Sequence, residues 1–184
     1  NTELDNIKMQ LVDIVYNAKT FGAVGDGITD DSDALELALQ STPNGGTLGL
    51  PFTEEGYAIS KGLDLIGKDN ITIKGLGGIV KIKHLNGSNT ITFKAENANN
   101  IAFENFEIDV NGENQDKNLY PAYVNSSFYL ADVDGLTLKN IFVKNSIRDL
   151  KLLRCKNIYI NNVHVDRSRV DGWSFEDCDG GIIK

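Results

Sequence analysis

The sequence predicts an all-β solenoid, a parallel β-helix closed at its N-terminal end by one α-helix. Two observations carry that prediction. A frame of alternating apolar residues between Asn or Gly positions occurs four times, as Asn70–Gly75, Asn100–Asn105, Gly135–Asn140 and Asn157–Asn162, and Gly180 opens a fifth unit. The starts lie 30, 35, 22 and 23 residues apart, and periods of about 20–50 residues mark solenoids or propellers. Each unit holds three short β runs with no helix between them, such as Phe128–Leu130, Leu136–Leu138 and Ile141–Val143. That favours three stacked parallel faces.

Taken in order, the chain opens with Leu4, Ile7, Leu11 and Ile14, an a/d seam over two heptads. Residues 1–16 therefore read as a helical segment. Two readings fit it: a coiled coil that trimerises the chain, or an amphipathic helix lying on its own domain. Residues 17–184 read as the β-helix. In the stretch FGAVGDGITDDSDALELALQ, Gly22, Gly25 and Gly27 suit backbone with φ > 0 or close approach. Asp30 or Asp31 caps a helix over 31–41, and further acids in its first turn favour the positive end of the dipole. Pro43-Asn44-Gly45-Gly46 ends it. One wide apolar face on this helix, with only strands downstream, implies that it closes off a β structure.

Strands follow at Thr47–Leu50 and Tyr57–Ile59, and then the repeat begins. Asn and Gly recur at its corners because they tolerate the left-handed conformation a one-residue corner needs. Asn105, Asn140 and Asn162 are expected to stack as a ladder with steps of about 4.8 Å. The register places Phe128/Leu130, Leu150/Leu152 and Trp173/Phe175 inside on one face. Cys155 and Cys178, 23 residues apart, fall one above the other beneath Val133; the separation permits a disulfide, and reduced buried thiols are the expectation. Asp132, Arg154 and Asp177 form an alternating-charge ladder at a corner. The 35-residue unit carries an insertion over 109–125 with Tyr120 and Tyr123. Solenoid insertions gather on one face, often the binding face, and tyrosines there suit stacking on sugar rings.

Composition bounds the function. The 184 residues carry 41% hydrophobic side chains and a net charge of -8. Such a chain does not attract nucleic acid or an anionic membrane through bulk charge. No apolar run approaches the ~18 residues of a membrane helix, and no secretion signal is present. Two cysteines make no disulfide framework. No cofactor and no metal are expected.

The run NAKTFGAVGDGITDD over 17–31, the helix after it, Gly45-Gly46-Thr47 and Leu50-Pro51 together resemble the N-terminal signature of the pectate-lyase-like right-handed β-helix superfamily. The resemblance implies a right-handed solenoid whose open end the helix caps, since an uncapped end exposes strand edges and core. It implies a fold rather than a reaction, because the superfamily spans polygalacturonases, lyases, alginate epimerases and phage tailspikes. Asp171 in Val170-Asp171-Gly172-Trp173 matches the first Asp of the polygalacturonase Asn-Thr-Asp-Gly motif, although Arg169 and Val170 depart from Asn-Thr. Residues 172–177 resemble the flank of the epimerase motif without its histidine.

The seam and the missing signal favour a homotrimeric phage tail or appendage spike in the virion, which binds and degrades cell-surface polysaccharide or teichoic acid. A secreted pectinase-like hydrolase or lyase and a non-catalytic adhesin β-helix are the alternatives. Glycosidic cleavage uses two carboxylates. The candidates on outward positions are Asp149, Asp171 and Glu176 as catalytic groups, with Asp109, Glu113, Tyr120 and Tyr123 as substrate contacts. His164 reads as a surface residue, and His84 has no evident partner. The chain stops inside a strand at Lys184, so a longer protein with further turns is expected.

Overall fold

The computed structural model describes residues 14–119, 124–169 and 171–184, residue 171 by its backbone alone. It is a right-handed parallel β-helix with one capping α-helix, as the repeat predicts. Three parallel faces run along it. Face A stacks Val15–Asn17, Thr47–Pro51, Ile71–Leu76, residues 101–104, 136–139 and 156–161, and Asp179–Ile183. Face B stacks Asp26–Asp30, Gly56–Ile59, Val80–His84, then 106–109, 141–144 and 163–166. Face C stacks Leu63–Asp64, residues 91–96 and 126–131, Arg148–Leu153 and Asp171–Glu176.

Alternate residues of each face point inward, and the rows they form are the core. Leu48, Ile73, Phe103, Leu138 and Ile160 make one such row, and Leu63, Phe93, Phe128 and Leu150 another. Phe93 is the hub, with ring centroids of Phe103 at 4.8 Å, Phe128 at 5.3 Å and Phe106 at 5.4 Å. The expected register of Trp173 above Leu150 and of Phe175 above Leu152 is present. Burial there is only partial, and Phe175 remains 40% exposed.

The corners follow the expected chemistry. Asn70, Asn100, Asn105, Asn140, Asn157 and Asn162 all have φ near +50 to +65°. The ladder is hydrogen-bonded: Asn140 Nδ2 donates to Asn105 Oδ1 and Asn162 Nδ2 to Asn140 Oδ1, both at 2.9 Å. Where Gly135 replaces Asn in the neighbouring row, an added Cβ would lie 2.3 Å from Asn100 Oδ1. Asp132 pairs with Arg154 through Nε at 2.7 Å and Nη2 at 2.5 Å.

The helix, α1, spans Ser32–Ser41 and buries Leu35, Ala38 and Leu39. Asp31 does not cap it by side chain. Instead its buried carboxylate turns back and accepts the N–H groups of Val24 at 2.5 Å and Gly25 at 3.1 Å. Asp30 accepts Ser32 N–H at 3.1 Å and Ser32 Oγ–H at 2.6 Å, and also binds Ser60. Partial burial raises the Asp30 pKa, but these four donors outweigh it and bring it to about 2. The segment before α1 is not all loop: Ala18–Phe21 is a 3₁₀ turn and Asp26–Asp30 a strand. Gly22, Gly25 and Gly27 have φ of +101, +67 and +72°. The heptad seam lies outside the described residues up to position 13. The last residues of the expected helical segment 1–16, Val15 and Tyr16, are not helical but pair in parallel with Thr47 and Leu48, because face A offers them a strand edge.

Candidate functional site

The outer side of face C carries the most concentrated chemistry. Three residue rows stand outward there. One runs through Thr92, Ser127, Asp149 and Gly172; the next through Asp64, Lys94, Tyr129, Lys151 and Ser174; the third through Glu96, Ala131, Leu153 and Glu176. The first row is built from small residues around a single acid. Ser127 Oγ–H donates to the Asp149 carbonyl at 2.5 Å. Opposite Asp149 stands Gly172, where a Cβ would sit 3.9 Å from Asp149 Oδ2.

A recess of about 110 Å³ opens between these rows, lined by Ser126, Arg148, Asp149, Lys151, Ser174 and Glu176. Asp149 is only 1% exposed. Burial therefore pushes its pKa up to about 7, with the Ser168 hydroxyl offsetting part of the effect. Glu176 is in the opposite situation. It is exposed, and Lys151 Nζ contacts it, which holds its carboxyl below the usual range. Lys151 also donates to Ser174 Oγ at 3.2 Å. One recess thus holds a carboxyl that keeps its proton near neutrality and a carboxylate that does not, the division of labour expected of an acid and a base.

Glu176 stands opposite Leu153, one rung above Asp149 and four residues further along. The two Cα atoms are therefore roughly 14 Å apart at ~3.3 Å per residue and ~4.8 Å per rung. Side chains on a strand stand roughly perpendicular to the sheet, so the carboxyls keep most of that spacing, well beyond the ~5 Å of a retaining pair.

Asp149 and Glu176 line one recess, whereas Asp109 and Glu113 lie elsewhere. Asp171 opens its strand in backbone register with Arg148. Asp109 is not a free contact: its Oδ1 accepts Asn111 N–H at 2.9 Å and Asn145 Nδ2–H at 3.1 Å, which builds the corner. Glu113 lies on the 3₁₀ turn Gly112–Asn114 in a separate hollow with Asn145, Ser146, Arg167 and Arg169. Tyr120 and Tyr123 lie outside the described residues.

Lys151 and Arg148 were missed by sequence reasoning. The signal for Lys151 was its place between Tyr129 and Ser174 in one outward row. His84 has a partner after all: it is fully buried, with Nε2 2.7 Å from Thr92 Oγ1, and burial drives its pKa down to about 3. His164 is exposed, as expected. Among the described residues no cluster of three His, Cys, Asp or Glu could hold a metal ion, and no helix is long and apolar enough to cross a membrane.

A family model described as rhamnogalacturonase A/epimerase, pectate lyase-like, matches residues 15–177. Alginate lyase 7 of Azotobacter vinelandii is 44% identical over 39% of this chain and 9% of that protein. The plasmin and fibronectin-binding protein A of Streptococcus pneumoniae is 27% identical over 85% of this chain and 24% of its own length. The chain therefore spans under a quarter of either relative. Among solved structures, the A-module of the A. vinelandii mannuronan C-5 epimerase AlgE6 superposes with a TM-score of 0.68 at 20% identity, over 90% of this chain and 49% of that one.

Proposed function

The chain belongs to the pectate-lyase-like rhamnogalacturonase A/epimerase family, and from that premise we propose that it binds a cell-surface or extracellular polysaccharide along face C and cleaves it by carboxylate-mediated hydrolysis. One observation carries this reading: Asp149, a buried carboxyl with a pKa of about 7, shares a recess with the ion-paired Glu176. Protonated Asp149 donates to the leaving glycosidic oxygen. Glu176, released from Lys151 when substrate enters, takes a proton from the attacking water. Arg148 and Lys151 supply positive charge to an acidic sugar at the same edge.

The relatives include an enzyme named for lysis of alginate and a protein named for binding plasmin and fibronectin. Lysis and pure adhesion are accordingly the alternatives. Acidic and neutral polysaccharides and teichoic acid, incubated with the chain, separate the three. New reducing ends without an unsaturated product support hydrolysis, an unsaturated uronate indicates elimination, and binding without cleavage indicates an adhesin. A D149N chain that cleaves as fast as the wild type would remove Asp149 from the mechanism.

The phage-appendage setting, with its trimer and virion location, rests on the heptad seam Leu4, Ile7, Leu11 and Ile14.

A further inference from the structure

We propose that Cys155 and Cys178 are a redox modification site, a thiol pair that closes into a disulfide across two rungs when a small disulfide such as oxidised glutathione reaches it. The chain has two cysteines, and both are free thiols here. Strand pairing sets them at one ladder position. Leu153 lies opposite Glu176 and Lys156 opposite Asp179, so Cys155 faces Cys178. Backbone bonds fix this register on both sides: Arg154 N–H donates to Glu176 O at 2.8 Å and Asp179 N–H to Cys155 O at 3.0 Å.

In-register neighbours stand about 4.8 Å apart at Cα, within the ~4.4–6.8 Å that a disulfide spans. Each cysteine also follows a left-handed corner residue of the same geometry, Arg154 and Asp177, both with φ of +51°. The two Cα–Cβ bonds therefore leave their rungs side by side. Parallel Cβ atoms at this spacing must draw in by about 1 Å to bond. Nothing strong holds the thiols apart, since each makes only weak bonds to carbonyls, Cys155 to Leu130 O at 3.3 Å and Cys178 to Glu176 O at 3.5 Å.

Cys155 is 0% exposed and Cys178 is partly buried, so the thiol exposed first by local opening makes the first attack, written here for Cys178. The Cys178 thiolate attacks one sulfur of the oxidant, the oxidant's S–S bond breaks, and one thiolate leaves and takes up a proton. Cys155 then loses its proton to water and attacks the Cys178 sulfur, releasing the second oxidant thiol. The protein loses two electrons and two protons, and the oxidant is reduced to two thiols. The bridge pins the rung that carries Ser174 and Glu176, so it also rigidifies the edge of the recess. Its bearing on glycan cleavage rests on the proposed function; the bridge itself does not.

The test uses the folded chain in glutathione buffers of increasing oxidation, followed by denaturation, alkylation and intact mass. The expected result is two alkylated thiols in reducing buffer and none in oxidising buffer. The oxidised chain should lose the mass of two hydrogens, carry no adduct, and regain both thiols with dithiothreitol. Its melting temperature should rise by several degrees, as closing a 23-residue loop implies. A C178S chain should keep one alkylatable thiol throughout. Two thiols still alkylatable after oxidation, a stable glutathione adduct on Cys178, or a disulfide-linked dimer would each overturn the proposal. None of these readouts depends on glycan cleavage, so the two readings fail separately.

Discussion

Asp149 is the residue at which stability and chemistry oppose each other. Its ordinary pKa of 3.8 becomes about 7 in the fold. Between those values the unfolded chain has lost the proton and the native chain keeps it, so stability falls as pH rises from about 4 to about 7. D149N removes that penalty. It should melt like the wild type near pH 4 and be more stable at pH 8 by on the order of 2–4 kcal/mol, measured by urea denaturation at both pH values. The same substitution should lower cleavage by roughly 10²–10⁴-fold. Wild-type activity should decline above about pH 7, as the carboxyl loses the proton it donates. A gain in stability together with a loss of activity is the pattern of a functional site rather than of a packing fault.

At the scale of elements, two devices hold the solenoid. The Asn ladder is one. N140A loses a donated and an accepted bond at a left-handed corner with φ of +53°, which should destabilise by about 2–3 kcal/mol. N140G keeps the corner conformation and should recover about 1 kcal/mol of that, separating backbone strain from the ladder in parallel chemical melts. The cap is the other. D31A leaves the N–H groups of Val24 and Gly25 without their acceptor, an expected loss of about 2–3 kcal/mol. Hydrogen exchange should then rise first at α1 and its 3₁₀ neighbour and only later at Phe93. The Asp pair was legible in the sequence as a helix start. Its division of labour was not, because Asp31 serves amides six and seven residues upstream and Asp30 reaches Ser60 across two strands.

For the whole molecule, the open question is assembly. The face A strand begins at Val15, so a truncation of residues 1–13 removes none of the described elements. Light scattering should give a trimer for the full chain and a monomer after that truncation if the seam is a coiled coil. A monomer in both cases would assign the seam to its own domain and weaken the appendage reading. The charged ladders on the outer faces, such as Lys74–Glu104 at 3.2 Å and Lys144–Glu107 at 2.5 Å, are partly exposed and contribute little each. The fold rests on the stacked apolar rows inside.

What the sequence determined by itself was the solenoid, its register and its corners. Each is written in a local period, with side chains alternating at every second residue and Asn or Gly wherever the chain must turn left-handed. Tertiary structure alone decided the surroundings of the candidate acids. Asp149, Glu176 and Asp171 look equivalent as letters, and the expectation of three outward acids followed from that. Burial beneath neighbouring segments raises one of them, and a lysine on the next rung lowers the second. Those effects depend on what covers a residue and what stands a rung away, and the sequence spacing of the acids encodes neither.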